Sequence, residues 1–150
     1  MKVDGCVMKD EHYLRWIFDP RHIFQGQFKL SFISLRMNEK GISGQIFERL
    51  ESENVIKESA CRFVRSKEIF YGYALAKVED IENCAIENDT INVVMTESVV
   101  PAHAEIRFKL DDVPVVGNTP NPRLSYYFNE IKDLLSRTVV QFGHKSYTSL

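Results

Sequence analysis

The chain has 150 residues, 44% of them hydrophobic and 27% charged, with 19 basic against 21 acidic side chains and a formal net charge of -2. That composition excludes collagen, coiled coil and a wholly disordered chain, and the length is enough to bury a core without metal or disulfide staples. The near-zero charge sum excludes a diffuse electrostatic binder of nucleic acid, while a local basic patch remains compatible with it.

In chain order, His12 to Phe18 places Leu14, Trp16 and Phe18 on one side at period two before Asp19-Pro20 interrupts it, which predicts a short strand. Gln27 to Leu35 alternates more cleanly, with Phe28, Leu30 and Phe32 on one face, and predicts a half-buried strand. Behind Ser43 as a cap, Ile46, Phe47 and Leu50 fall at helical spacing. A second helix is predicted from near Asn54, with Val55, Ile56, Ser59, Ala60, Phe63 and Val64 on one stripe. Tyr71 to Val78 reads as a strand covered closely on one side, its Gly72, Ala74 and Ala76 alternating with larger residues. Glu79 to Ala85 predicts one or two helical turns, and Ile91 to Thr96 a β-branched strand. His103 to Leu110 is the most regular alternation in the chain. After the irregular loop DDVPVVGNTPNP, Asn121 as N-cap and Pro122 start an amphipathic helix through Leu124, Tyr127, Phe128, Ile131, Leu134 and Leu135, which Gly143 can end. On that helix the run Tyr126, Tyr127, Phe128 should leave some aromatic surface off the core stripe, suited to self-association or a partner.

Without repeats, linkers or low-complexity tracts, the default is a single α+β domain over 1–143 and a flexible C-terminal tail over 144–150. The element order lacks strict β-α alternation, so the expected fold is a mixed or mainly antiparallel sheet of about five strands packed by two to four helices, with a long C-terminal amphipathic helix. Cys6, Cys61 and Cys84 are too scattered for a disulfide framework and form no C-x-x-C pair, so they read as core or partly buried thiols in a reducing, cytoplasmic setting. No apolar run suits a signal peptide or the roughly 18 residues of a membrane span.

No Walker loop, G-x-G-x-x-G, H-E-x-x-H, G-x-S-x-G or EF-hand loop is present. Two polar constellations stand out. His103, Glu105, Arg107 and Lys109 share one face of a strand, where residues two apart lie about 7 Å apart. His103 and Glu105 in that row can share a proton or a divalent metal, and Arg107 can hold a phosphate or carboxylate. The bland account is an ordinary solvent face with surface ion pairs. The second constellation, His12, Tyr13, Arg15, Trp16, Arg21 and His22, mixes cations with aromatics as single-stranded nucleic-acid binders do, although Asp10, Glu11 and Asp19 dilute its charge and Trp16 and Phe18 read as core. Arg62, Arg65 and Lys67 read as a solvated basic face, and Asp111-Asp112 as a turn that could also extend a metal site near His103.

The stretch FYGYALAKVEDI followed by PAHAEI, with its Pro-x-His-Ala-x-Ile step, resembles small uncharacterised bacterial proteins, some encoded in mobile or defence-associated gene neighbourhoods. The resemblance spans about a third of the chain, implies no activity and draws some interest to His103. The leading expectation is therefore a non-catalytic binding or accessory domain that works with a protein partner in a bacterial multi-component system. The alternatives are a small hydrolase, nuclease or transferase using His103, Glu105 and Arg107, with or without a divalent metal, and a nucleic-acid binder using His12, Arg15, Arg21 and His22. No cofactor or membrane association is expected, and a homo-oligomer is compatible with the aromatic helix face.

Overall fold

Residues 6–117 and 121–142 are described by the structure, a computed structural model. Twelve regular elements follow one another along the chain: β1 (His12–Asp19), β2 (Ile23–Phe24), β3 (Gln27–Phe28), β4 (Ile42–Ile46), α1 (Glu53–Cys61), β5 (Ile69–Lys77), α2 (Val78–Glu82), β6 (Thr90–Met95), β7 (His103–Leu110), β8 (Val113–Pro114), α3 (Pro122–Ser136) and β9 (Val139–Gln141). Seven of the strands form one sheet in the order β6-β7-β4-β1-β5-β9, with β8 paired to β7. Every pairing in it is antiparallel. The fold is therefore α+β with an antiparallel sheet.

Strand alternation assigns the two faces of that sheet. On one, Tyr13, Ile17, Ala74, Ala76, Ala104, Ile106 and Phe108 join Leu124, Tyr127, Ile131 and Leu135 of α3 in the larger apolar cluster. On the other, Leu14, Trp16, Phe18, Phe70 and Tyr73 meet Ile56 and Ala60 of α1. Asn121 caps α3 by accepting a hydrogen bond from the Arg123 backbone N–H, with Pro122 in the first turn.

Three expectations from the sequence are corrected. Gln27 to Leu35 is not a strand of the sheet: only Gln27–Phe28 pairs, in a two-residue hairpin with β2, and a 3-10 turn follows at Leu30–Phe32. Gln25 and Gly26, both at positive φ, form the hairpin turn, and Leu30 and Phe32 do not share a face, since the first is exposed and the second buried. The helix behind Ser43 is instead β4 and a 3-10 turn, Phe47–Arg49, because Ile42, Gly44 and Ile46 alternate with Ser43 and Gln45 at period two. Finally, α3 stops at Ser136, and the chain returns as β9 along β5, so the sheet has seven strands rather than about five. Gly143 and the tail 144–150 lie outside the described residues.

Two of the three thiols, Cys6 and Cys61, are exposed, contrary to the expectation that all would be at least partly buried. Cys6 precedes β1, and Cys61 ends α1 one residue past the buried Ala60. Among the described residues no helix is long and apolar enough to cross a membrane.

Candidate functional site

Pairing between β1 and β4 extends over only two positions, Tyr13↔Ile46 and Leu14↔Gln45. Beyond Leu14 the strands separate, and the Arg15 side chain spans the gap, donating from Nη1 to the Ser43 carbonyl (2.7 Å) and from Nε to the Phe32 carbonyl (3.2 Å). The guanidinium thus links β4, through the Ser43 carbonyl, to the 3-10 turn of the intervening chain, through the Phe32 carbonyl. The chain between β1 and β4 wraps this open end. In its extended part Ile33 and Leu35 are buried, while the intervening Ser34 and Arg36 line a cleft.

That cleft has a volume of about 300 Å³. Its cationic wall is Arg15, Arg21 and Arg36 against a single carboxylate, Glu39. Serines 31, 34, 43 and 98 and the imidazoles of His22 and His103 supply neutral hydrogen-bonding groups, and Trp16, Phe18, Phe63 and Val100 the apolar side. Arg21 is neutralised by a two-pronged pair with Glu68 (3.0 and 2.7 Å) and also donates to the Phe63 carbonyl (2.7 Å). Arg15 meets carbonyls and no carboxylate, and the Arg36 guanidinium has no partner among the described residues.

Both histidines are held in the uncharged form. Burial, reinforced by Arg15, Arg21 and Arg36, pushes the His22 imidazole down to about 2. Its Nδ1 accepts from the Phe18 backbone N–H (3.2 Å), which places the ring proton on Nε2. Nε2 has no partner among the described residues and is not a sealed polar atom, so this otherwise buried ring offers one N–H to the cleft. Burial likewise lowers His103, against the opposing charge of Glu105, and its Nδ1 is bonded to the Thr96 hydroxyl.

The apolar side is rigid. Trp16 donates from Nε1 to the buried Gln45 amide oxygen (2.8 Å), and the Gln45 amide nitrogen donates to Ser59 Oγ (3.2 Å) and the Pro101 carbonyl (3.0 Å). One amide thus ties β1, β4, α1 and the turn before β7 together, with both of its N–H donors used. Phe63 stacks on the Trp16 ring (centroids 5.3 Å apart, 19° between planes) yet is 44% exposed.

One member of the strand row, His103, and four of the six residues of the N-terminal cluster, Arg15, Trp16, Arg21 and His22, meet in this one cleft. Glu105 and Arg107 pair with each other at 3.0 Å and do not line it. His12 lies at the other end of β1, bonded to Glu48 through both its ring and its backbone N–H. Asp111 turns the chain between β7 and β8 and pairs with Arg123, and Arg62, Arg65 and Lys67 are exposed. Among the described residues no group of three His, Cys, Asp or Glu side chains is placed to hold a metal.

Sequence reasoning missed Ser34, Arg36, Ser43 and Phe63. The alternation Ile33-Ser34-Leu35-Arg36 was the available signal, a half-buried extended segment whose polar members must face something. Comparison of the chain with protein-family models, with curated proteins and with solved structures finds no match in any of the three.

Proposed function

We propose that the chain is a non-catalytic binding domain whose ligand carries an oxyanion, held in the cleft where β1 and β4 separate. The observation that carries this reading is the lining of three guanidiniums and one carboxylate, two of those guanidiniums having no carboxylate partner. With only Glu39 to offset them, the partly buried Arg15 and the exposed Arg36 leave the cleft an excess of positive charge that suits an oxyanion held by charge-assisted hydrogen bonds, and hydroxyl and imidazole N–H groups complete the shell. As an accessory domain it would present the cleft to a protein partner across the adjoining groove, where exposed Met37 and Val116 meet Ser34 and Arg36.

Calorimetric titration with inorganic phosphate tests the site. Binding is expected, weakened about tenfold by Arg36→Gln, the loss of one charged hydrogen bond. No binding of phosphate, sulfate or acetate would overturn the reading.

His103 supports a second, catalytic reading. It is an uncharged imidazole in the same lining with Nδ1 anchored by Thr96, an arrangement suited to a general base acting on a bound ester in a hydrolase, nuclease or transferase. His103→Gln separates the two: turnover lost with phosphate affinity kept supports catalysis, and unchanged behaviour removes it.

A further inference from the structure

Resting on the oxyanion reading above, we infer that the ligand is a nucleoside monophosphate, its phosphate on the arginine wall and its base against Phe63. Three observations converge on this class. The donors surround the recess from separate segments: Arg15 on β1, His22 after it, Ser34 and Arg36 on the wrapping chain, and Ser43 on β4. Ser34 and Ser43 hydroxyls have no partner among the described residues, and neither has His22 Nε2. Donors spread in this way suit the several oxygens of a tetrahedral dianion better than a planar carboxylate, which one guanidinium fork satisfies.

The aromatic side argues for a flat second moiety. Phe63 has one ring face on Trp16 and remains nearly half exposed, the arrangement of a stacking platform rather than of a core residue. Arg21 joins the two walls, since it donates to the Phe63 carbonyl while its guanidinium lies 4.5 Å from the Phe18 ring centroid. Its charge is already met by Glu68, so it acts as a spacer between platform and anion site, while Arg15 and Arg36 remain for the phosphate. Size points the same way: about 300 Å³ is at the low end of small-molecule sites and suits one nucleotide rather than a strand.

Trp16 is the chain's single tryptophan and lines the cleft, so its fluorescence reports occupancy directly. The experiment titrates the full chain with adenosine monophosphate, ribose 5-phosphate, adenosine, inorganic phosphate and a single-stranded oligonucleotide. The monophosphate is expected to bind about tenfold tighter than ribose 5-phosphate, the contribution of one stacked base. Phe63→Ser should abolish that difference while leaving ribose 5-phosphate affinity unchanged. Arg36→Gln should weaken both phosphate compounds equally. Equal binding of the two phosphates by the unaltered chain would overturn the nucleotide inference and leave the oxyanion site standing. Absence of binding by every phosphate compound would overturn both. Adenosine as tight as its monophosphate, or an oligonucleotide bound more tightly than the monophosphate with an affinity that falls steeply with salt, would also overturn the inference.

Discussion

His22 shows how one side chain in the cleft couples folding to pH. In the unfolded chain an imidazole takes its proton near pH 6.5. Folded, its value is depressed to about 2, first by burial and then by the arginines around it. Between those values the unfolded state holds one more proton than the folded state, so the stability present above pH 6.5 is lost as pH falls toward 2. The slope from one such group reaches roughly 1.4 kcal/mol per pH unit below pH 6. Urea midpoints measured from pH 7 to pH 5 should show this decline, and His22→Leu should flatten it whatever it does to absolute stability. His103, lowered by burial against the charge of Glu105, titrates in the same sense and leaves a residual slope of the same sign. An unaltered slope in His22→Leu would mean that the ring is hydrated in the folded protein. His22 was legible in the sequence as a member of a cationic and aromatic cluster, but its role was not. A net positive reading of that cluster counts the ring as a potential cation, whereas burial next to three guanidiniums makes it a neutral donor.

At the scale of elements, β4 decides whether a cleft exists. Tyr13 crosses it and donates its hydroxyl to the Ile42 carbonyl at 2.7 Å, and only a glycine at position 44 leaves room for the ring. A Cβ there would sit 2.6 Å from Tyr13 Cζ and closer still to the Leu14 carbonyl oxygen. Gly44→Ala is therefore expected to cost about 3 kcal/mol by overpacking and to disturb the short β1–β4 register. Chemical denaturation measures the first effect and loss of phosphate affinity the second; stability within 0.5 kcal/mol, the scale of an ordinary surface change, would show that the strands can part without loss. β4 is also where sequence reading failed most. Its five residues carry a period-two pattern, but Ile46 and Phe47 are adjacent and Leu50 follows at helical spacing, so the longer window favoured a helix. By contrast β7, with eight strictly alternating residues, and β5, with its small residues facing the sheet's covered side, were read where they are found. Long regular patterns outvote propensity, whereas short strands flanked by turns do not generate enough period to be separated from a helical turn.

Across the whole molecule, two polar systems lie apart on the sheet. Away from the cleft, Asp89 is a buried carboxylate that accepts from Tyr127 Oη (2.6 Å), from the Asp111 backbone N–H (2.9 Å) and from Arg123 (3.0 Å). Burial alone would raise it, but these partners outweigh burial and hold the carboxyl below its usual value. The clamp fastens the start of α3 to the ends of β6 and β7. Asp89 is one of five acidic residues between positions 79 and 89, and nothing in the local pattern distinguishes it from the exposed Glu79, Asp80 and Glu87; only the fold does so. The clamp and the cleft share no residue, so perturbing each should leave the other unchanged. Tyr127→Phe removes the donor to Asp89 and the acceptor of the Ile86 backbone N–H, and is expected to cost about 2 kcal/mol. For a chain of this length that lowers Tm by roughly 4–8 °C, with phosphate affinity unchanged. Arg36→Gln, on an exposed side chain, is expected to do the reverse, holding Tm within about 1 °C while weakening phosphate. Scanning calorimetry and titration on the two variants and their combination give the decisive comparison. Additive effects mean that the α3 face serves only to hold the sheet, and a loss of affinity in Tyr127→Phe would show that the cleft's geometry depends on the clamp through the strands between them.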